Sequence, residues 1–148
     1  DAALRALRCD NAARERVVTL VENHEMRTGH GKKDLRRLLA KIGEKNMRDL
    51  LLVRRADAAA HAPEAAARLT ALADEDERIL HEITAERGCL HVKDLAVSGN
   101  DLLALGLKPG AAVGETLSRL LDLVLDEEAP NEKGALLAAA RKEMQTHE

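Results

Sequence analysis

The chain has 148 residues, enough for one compact domain or two small ones, and its formal net charge is −3. It contains no Phe, Tyr or Trp, so its core must be aliphatic and none of these three rings can stack on nucleic-acid bases. The negative charge argues against a general nucleic-acid binder. No apolar run approaches the roughly 20 residues that a membrane span needs.

Apolar residues recur at helical spacing, and no segment alternates apolar and polar residues over strand length. Helices with one apolar face are predicted at about residues 10–25, 33–43, 46–60, 63–87, 98–106, 111–126 and 131–144. Gly43 is predicted to end the second helix, and Asn46 and Asn131 to cap the third and the last. The sequence therefore predicts an all-α helical array of about five to six longer helices and one short helix, in two packed subdomains at residues 1–88 and 89–148.

Positive charge is concentrated in one region of the chain. Residues 27–55 carry ten Lys and Arg against three acids, whereas residues 74–101 carry eight acids against three bases. The candidate RNA-binding residues of the second predicted helix are Lys33, Arg36, Arg37 and Lys41. Lys33, Arg37 and Lys41 recur at i, i+4 and i+8, on the face of the helix opposite its apolar residues. This pattern predicts a basic, phosphate-facing surface, and an ordinary solvated helix face is the alternative.

A hairpin is predicted where the short helix gives way to the next long one. Gly106 is expected to take a positive φ and end the short helix, and Pro109 fixes φ in the turn. Gly110 and Gly114 would allow close backbone approach. The unpaired first amides of the next helix, together with Lys108, would suit a phosphate. The alternative is a tight turn that only packs two helices.

The chain lacks the common catalytic and metal-binding motifs at the sequence level. There is no glycine-rich phosphate loop and no HExxH or GxSxG pattern. Asp57 and His61 lie four residues apart, but two ligands are too few for a metal site, so a surface pair is favoured. Cys9 and Cys89 form no CxxC pair and are expected to be free thiols of a cytoplasmic protein. We therefore predict no catalytic residue and no metal site in this chain.

The segment from Leu95 to Gly114 reads LAVSGNDLLALGLKPGAAVG and is followed by Leu117, Leu120 and Leu121. This combination resembles the C-terminal part of bacterial CCA-adding tRNA nucleotidyltransferases and of their poly(A) polymerase relatives. The resemblance covers roughly residues 15–140. One departure is that many relatives carry a second Pro where this chain has Ala111. The resemblance implies that residues 89–148 form a helical tail domain.

Residues 1–88 resemble the end of a His-Asp (HD) phosphohydrolase-like, RNA-binding body domain. The segments that carry this likeness are residues 20–25, 38–43 and 50–58. The last Asp of such domains is a metal ligand, and Asp57 matches it. Glu25 stands where an Asp is common, and the defining His-Asp dyad is expected before Asp1. The resemblance thus implies an incomplete metal site.

The family's role implies a function for the chain as a whole. It would be a non-catalytic C-terminal fragment that positions the elbow and acceptor stem of tRNA. An N-terminal head domain of the same protein would add nucleotides to the 3′ end, with Mg²⁺ and ATP or CTP, and this chain would need no cofactor. Two alternatives stay open: a remnant of a metal-dependent HD phosphohydrolase, and a helical protein-interaction module with Leu-rich faces.

Overall fold

The computed structural model describes residues 2–24, 31–86 and 88–146. Within these ranges there are seven α-helices and no strand, which confirms the predicted all-α helical array. The helices are α1 Ala2–Ala6, α2 Asn11–Asn23, α3 Lys32–Ala59, α4 Pro63–Ala85, α5 Gly99–Ala104, α6 Ala111–Leu125 and α7 Lys133–Thr146. The chain divides into two compact units, the first unit at residues 1–86 and the second unit at 87–148.

The segment α3 contains the two helices that are predicted here, and they are joined at a kink instead of by a loop. Gly43 has φ 79° and ψ 160°, outside the helical region, so the chain bends there and helical geometry resumes directly afterwards. The predicted cap at Asn46 is therefore wrong. Its side-chain Nδ2 donates to the Ile42 carbonyl at 2.8 Å, from within the helix. The positive φ at Gly43 confirms that this glycine ends the first of the two helices in α3.

The first unit is built around α3 and α4, with α2 packed along α3. Its fully or nearly fully buried aliphatic residues are Leu35, Leu38, Leu39, Ile42, Met47, Leu50, Leu51, Ala58, Ala73, Ile79, Leu80 and Ile83. One ion pair lies within this core, where Arg54 Nη1 is 3.2 Å from Asp76 Oδ2 and Asp76 is completely buried. At the surface, Arg16 Nη2 reaches Asp49 Oδ2 at 2.6 Å and links α2 to α3.

The second unit packs α5, α6 and α7 around a smaller aliphatic core. Leu102, Leu120 and Leu136, one from each helix, are 0% exposed. Asn131 does not cap α7, contrary to the prediction, because the helix begins at Lys133. The Asn131 side chain instead accepts from the amide of Ala96 and donates to the Asp94 carbonyl, both at 2.8 Å. It thereby fixes the loop that leads into α5.

No helix in the described ranges is both long and apolar enough to cross a lipid bilayer. The short helix α1 is missing from the prediction. Its five residues are too few to show apolar periodicity, and none of them is buried.

Candidate nucleic-acid interface

Lys33, Arg37 and Lys41 lie exposed on α3, before the kink at Gly43. Successive members are one helical turn apart, which separates their Cα atoms by about 6 Å along the axis. The opposite face of this part of α3 is anchored in the core, where Leu35 is completely buried. A packed helix therefore holds these three cations in one row, which we call the α3 stripe.

Arg36 occupies a different environment from the α3 stripe. It is only 9% exposed, and its Nη2 donates to Glu86 Oε2 at 3.0 Å. Lys32 Nζ donates to the other oxygen of Glu86 at 2.5 Å. The hydrogen bond from Lys32, with the positive charges of Lys32 and Arg36, lowers the pKa of Glu86. Arg36 thus forms an ion pair with Glu86 and is largely buried.

The C-terminal end of the α3 stripe is connected to α2. Lys41 Nζ donates to Asn23 Oδ1 at 3.4 Å, and the Asn23 amide donates to the Thr19 carbonyl at 2.7 Å. Asn23 itself is 3% exposed. The stripe therefore borders the last turn of α2, whose buried Asn23 orients one of its lysines.

The predicted hairpin between α5 and α6 begins with a Schellman motif. Gly106 has φ 107°, which confirms the expected positive φ. Its amide donates to the Leu103 carbonyl at 3.0 Å, and the amide of Leu107 donates to the Leu102 carbonyl at 3.1 Å. These two bonds satisfy carbonyls that the end of a helix would otherwise leave unpaired.

The other hairpin residues lie at the N-terminus of α6. Gly110 precedes the helix with φ 134°, and Lys108 and Gly114 are exposed. A Cβ atom added at Gly110 or Gly114 would meet nothing within 4 Å, so neither glycine is required by a close approach within the chain. That approach occurs at Gly99, where an added Cβ would lie 3.2 Å from the Val113 side chain. Sequence reasoning missed Gly99 because its role depends on how α5 meets α6.

A groove of about 710 Å³ lies between the hairpin, α6 and the end of α7. Three cations line it: Lys108, Arg119 and Arg141. Two carboxylates, those of Glu115 and Glu143, also line it. Arg119 Nη1 is 3.7 Å from Glu143 Oε2. The two arginines were not among the predicted site residues, because they lie on different helices and no sequence spacing connects them.

Asp57 matches a metal ligand of HD-like domains, and it lies exposed near the end of α3. Its backbone carbonyl is 2.8 Å from His61 Nδ1, so this histidine is engaged locally. Among the described residues, no three His, Cys, Asp or Glu side chains gather closely enough to hold a metal ion. Glu25 lies outside the described residues. Cys9 and Cys89 are free thiols, as expected.

Residues 1–140 match the family model described as tRNA nucleotidyltransferase domain 2. Searches of curated proteins and of solved structures gave no match. The matched region includes the α3 stripe, the hairpin and all helices except the end of α7. This span is nearly the whole chain, and it agrees with the resemblance carried by residues 95–114. The chain belongs to the tRNA nucleotidyltransferase domain 2 family.

Proposed function

We propose that this chain is the non-catalytic, tRNA-positioning part of a tRNA nucleotidyltransferase. Residues 1–88 would be the end of its body domain and residues 89–148 its tail. A head domain of the same protein would add nucleotides to the tRNA 3′ end, with Mg²⁺ and ATP or CTP. Membership of the family supports a tRNA nucleotidyltransferase function. The observation that carries the positioning role is the α3 stripe, three exposed cations on a helix whose other face is buried.

The contacts of α3 narrow the set of residues that would face RNA. Arg36 and Lys32 already neutralise Glu86, so a phosphate would have to compete with a carboxylate for them. Lys33, Arg37 and Lys41 would meet phosphates at the surface because they are exposed, whereas Arg36 is only 9% exposed. Phosphate contacts fix the register of a protein on RNA without reading its sequence. This mode suits a chain that has no Phe, Tyr or Trp side chain for base stacking.

The hairpin would provide a second contact with tRNA, in the second unit. The amides of Ala111 and Ala112 begin α6, where the backbone carries partial positive charge, and the next amide, that of Val113, donates to the Gly110 carbonyl at 3.2 Å. Lys108 is exposed beside them, and the space next to Gly110 and Gly114 is open on the side where a Cβ atom would stand. An RNA backbone could therefore approach the first turn of α6 closely. Recognition of this kind depends on folded RNA shape rather than base identity.

A specific feature favours a second candidate, the helical protein-interaction module. Leu52 is 65% exposed and Val53 is 40% exposed, next to each other on α3. Exposed aliphatic residues of this kind can belong to a docking surface. If replacing Lys33, Arg37 and Lys41 left the affinity for tRNA unchanged, this candidate would be favoured.

The test is a titration of tRNA with the 148-residue chain at several salt concentrations. Replacing Lys33, Arg37 and Lys41 together by Gln should weaken binding and reduce the slope of log K against log salt by up to about three. A matched control replaces the exposed cations Arg68, Lys93 and Lys142 by Gln. The proposal predicts a clearly smaller loss for the control variant. Equal losses in the two variants would show that only overall charge matters and would contradict the proposed surface.

A further inference from the structure

Three basic side chains from three different elements line the groove between the hairpin, α6 and the end of α7. Lys108 lies in the hairpin, Arg119 on α6 and Arg141 on α7. Within the ranges that the structure describes, the side chains of Lys108 and Arg141 form no hydrogen bond and no ion pair, and both are exposed. Arginines elsewhere, such as Arg54 and Arg78, are paired with carboxylates. The groove therefore collects two cations whose charge is not taken up inside the chain.

The third cation, Arg119, is held by a carboxylate that does not use up its donors. Glu143 Oε2 is buried and lies 3.7 Å from Arg119 Nη1, which is an ion pair without a hydrogen bond. A guanidinium group has five N–H donors, and the Arg119 side chain is 48% exposed. Glu143 therefore acts on the arginine and not on a ligand, and Arg119 can still donate into the groove.

The charge of the groove matches a single phosphodiester. The three cations, opposed by the carboxylates of Glu115 and Glu143, leave the lining with a net charge of about +1. A phosphodiester carries one negative charge, so one such group neutralises the lining. A second phosphate in the same groove would meet two carboxylates and no remaining positive charge. The α3 stripe differs, since its cations stand in a row that suits successive phosphates.

We infer that Arg119 and Arg141 are positioning residues that, together with Lys108, hold one backbone phosphate of RNA in this groove. The inference rests on the tRNA-positioning function proposed above, and it adds residues of α6 and α7 to the hairpin contact. Guanidinium groups suit the role because their planar set of donors fits two oxygens of one phosphate. A phosphate held by three elements at once would fix the register of the RNA on the second unit.

The test is a double-mutant cycle on tRNA binding at several salt concentrations. The 148-residue chain, Arg119→Gln, Arg141→Gln and the double variant are titrated with tRNA, and each single replacement should weaken binding about tenfold. Because both arginines hold the same phosphate, the loss in the double variant should be smaller than the product of the two single losses. The slope of log K against log salt should fall by about one in the double variant, the contribution of one phosphate.

Further variants separate a contact with RNA from a structural role. Replacing Arg68 and Lys93 together by Gln removes the same charge from exposed positions outside the groove and is the matched control. Arg141→Gln should leave thermal melting nearly unchanged, because an exposed arginine contributes little to folding. Arg141→Lys keeps the charge without the planar fork, so it should retain the salt slope while recovering only part of the affinity.

Three results with tRNA would overturn the inference. They are losses no larger than that of the control, single losses that multiply exactly in the double variant, and a fall in slope of about two, which would place the arginines on separate phosphates. If the α3 stripe variant lost tRNA affinity while the arginine variants did not, this inference alone would fail.

A second probe decides the inference even if the chain does not position tRNA. The dinucleotide UpU holds one phosphodiester, and its binding is followed without tRNA by NMR shifts of the backbone amides of groove residues. Saturable shifts that disappear in the double variant would support the groove as a phosphodiester site, whatever the outcome with tRNA. Shifts that are absent, or that persist unchanged in the double variant, would overturn it.

Discussion

Gly106 and Gly114, both in the second unit, differ in backbone conformation. Gly106 has φ 107°, which L side chains rarely adopt, whereas Gly114 lies inside α6 beside open space. Gly106→Ala should lower the free energy of unfolding by about 1–2 kcal/mol through backbone strain. Gly114→Ala should raise it by about 0.5–1 kcal/mol through helix propensity. Urea denaturation of the two variants measures both, and two changes of the same sign would contradict the assigned conformations.

Asp101 stabilises the start of α5 in a pH-dependent way. Its Oδ1 is 2.6 Å from Lys133 Nζ, and its Oδ2 accepts from the Ser98 amide at 2.8 Å and from the Ser98 hydroxyl at 2.7 Å. The hydrogen bond from Lys133, followed by those from Ser98, holds the pKa of Asp101 well below its usual range. The unfolded chain therefore takes up the proton first as pH falls.

The resulting stabilisation is complete above the unfolded-state pKa of about 4 and is lost as pH falls through the lower folded-state pKa. We expect the melting temperature of the chain to decrease between about pH 5 and pH 2, and Asp101→Asn to reduce that decrease. Glu132→Gln, beside Lys133, is the control and should retain the pH dependence of the unaltered chain. If the melting temperature of the Asp101→Asn variant depended on pH as it does in the unaltered chain, Asp101 would make no contribution to this pH dependence.

At the scale of elements, α3 and α4 are held together by aliphatic packing and by the buried Arg54–Asp76 pair. Removing one partner leaves an uncompensated buried charge, so Asp76→Ala should cost about 3–5 kcal/mol of stability. Replacing both, as Arg54→Met with Asp76→Leu, should cost much less or nothing, because two apolar side chains carry no desolvation penalty. Denaturant titration of the single and double variants tests this. If the double variant were as unstable as Asp76→Ala, an uncompensated buried charge could not be the cause of the loss.

The elements also show where sequence reasoning succeeds. Helices with a buried apolar face, such as α4 and α6, follow from the 3.6-residue period of their sequence. The absence of a loop between the two predicted helices of α3 does not follow, because a positive φ at Gly43 permits either a loop or an abrupt kink. Asn131 likewise fits the pattern of a cap, yet its hydrogen bonds go to Asp94 and Ala96, which are distant in sequence. Local propensity cannot reveal such tertiary partners.

At the scale of the molecule, the α3 stripe and the groove beside Lys108 could be predicted from the sequence only in part. The α3 stripe follows from helical spacing because all three members lie on one helix. The engagement of Arg36 with Glu86 could not be predicted, since those residues meet only when α3 and the end of α4 are packed. The same limit applies to Arg119 and Arg141, which join Lys108 through the packing of α6 and α7.

We propose that this chain holds folded tRNA, and a comparison of two RNAs tests the proposal. The 148-residue chain and its Lys108→Ala variant are titrated with folded tRNA and with an acceptor-stem minihelix that lacks the elbow. Lys93→Ala, an exposed cation outside the hairpin, serves as the control. Thermal melting should be nearly unchanged in both variants, because an exposed lysine contributes little to folding.

We expect folded tRNA to bind more tightly than the minihelix. We also expect Lys108→Ala to weaken tRNA binding by up to about tenfold while leaving minihelix binding unchanged. Equal affinity of the chain for the two RNAs would contradict the positioning role. A Lys108→Ala loss that is the same on both RNAs, or absent from both, would show that the hairpin is a structural turn and not a contact with the tRNA elbow.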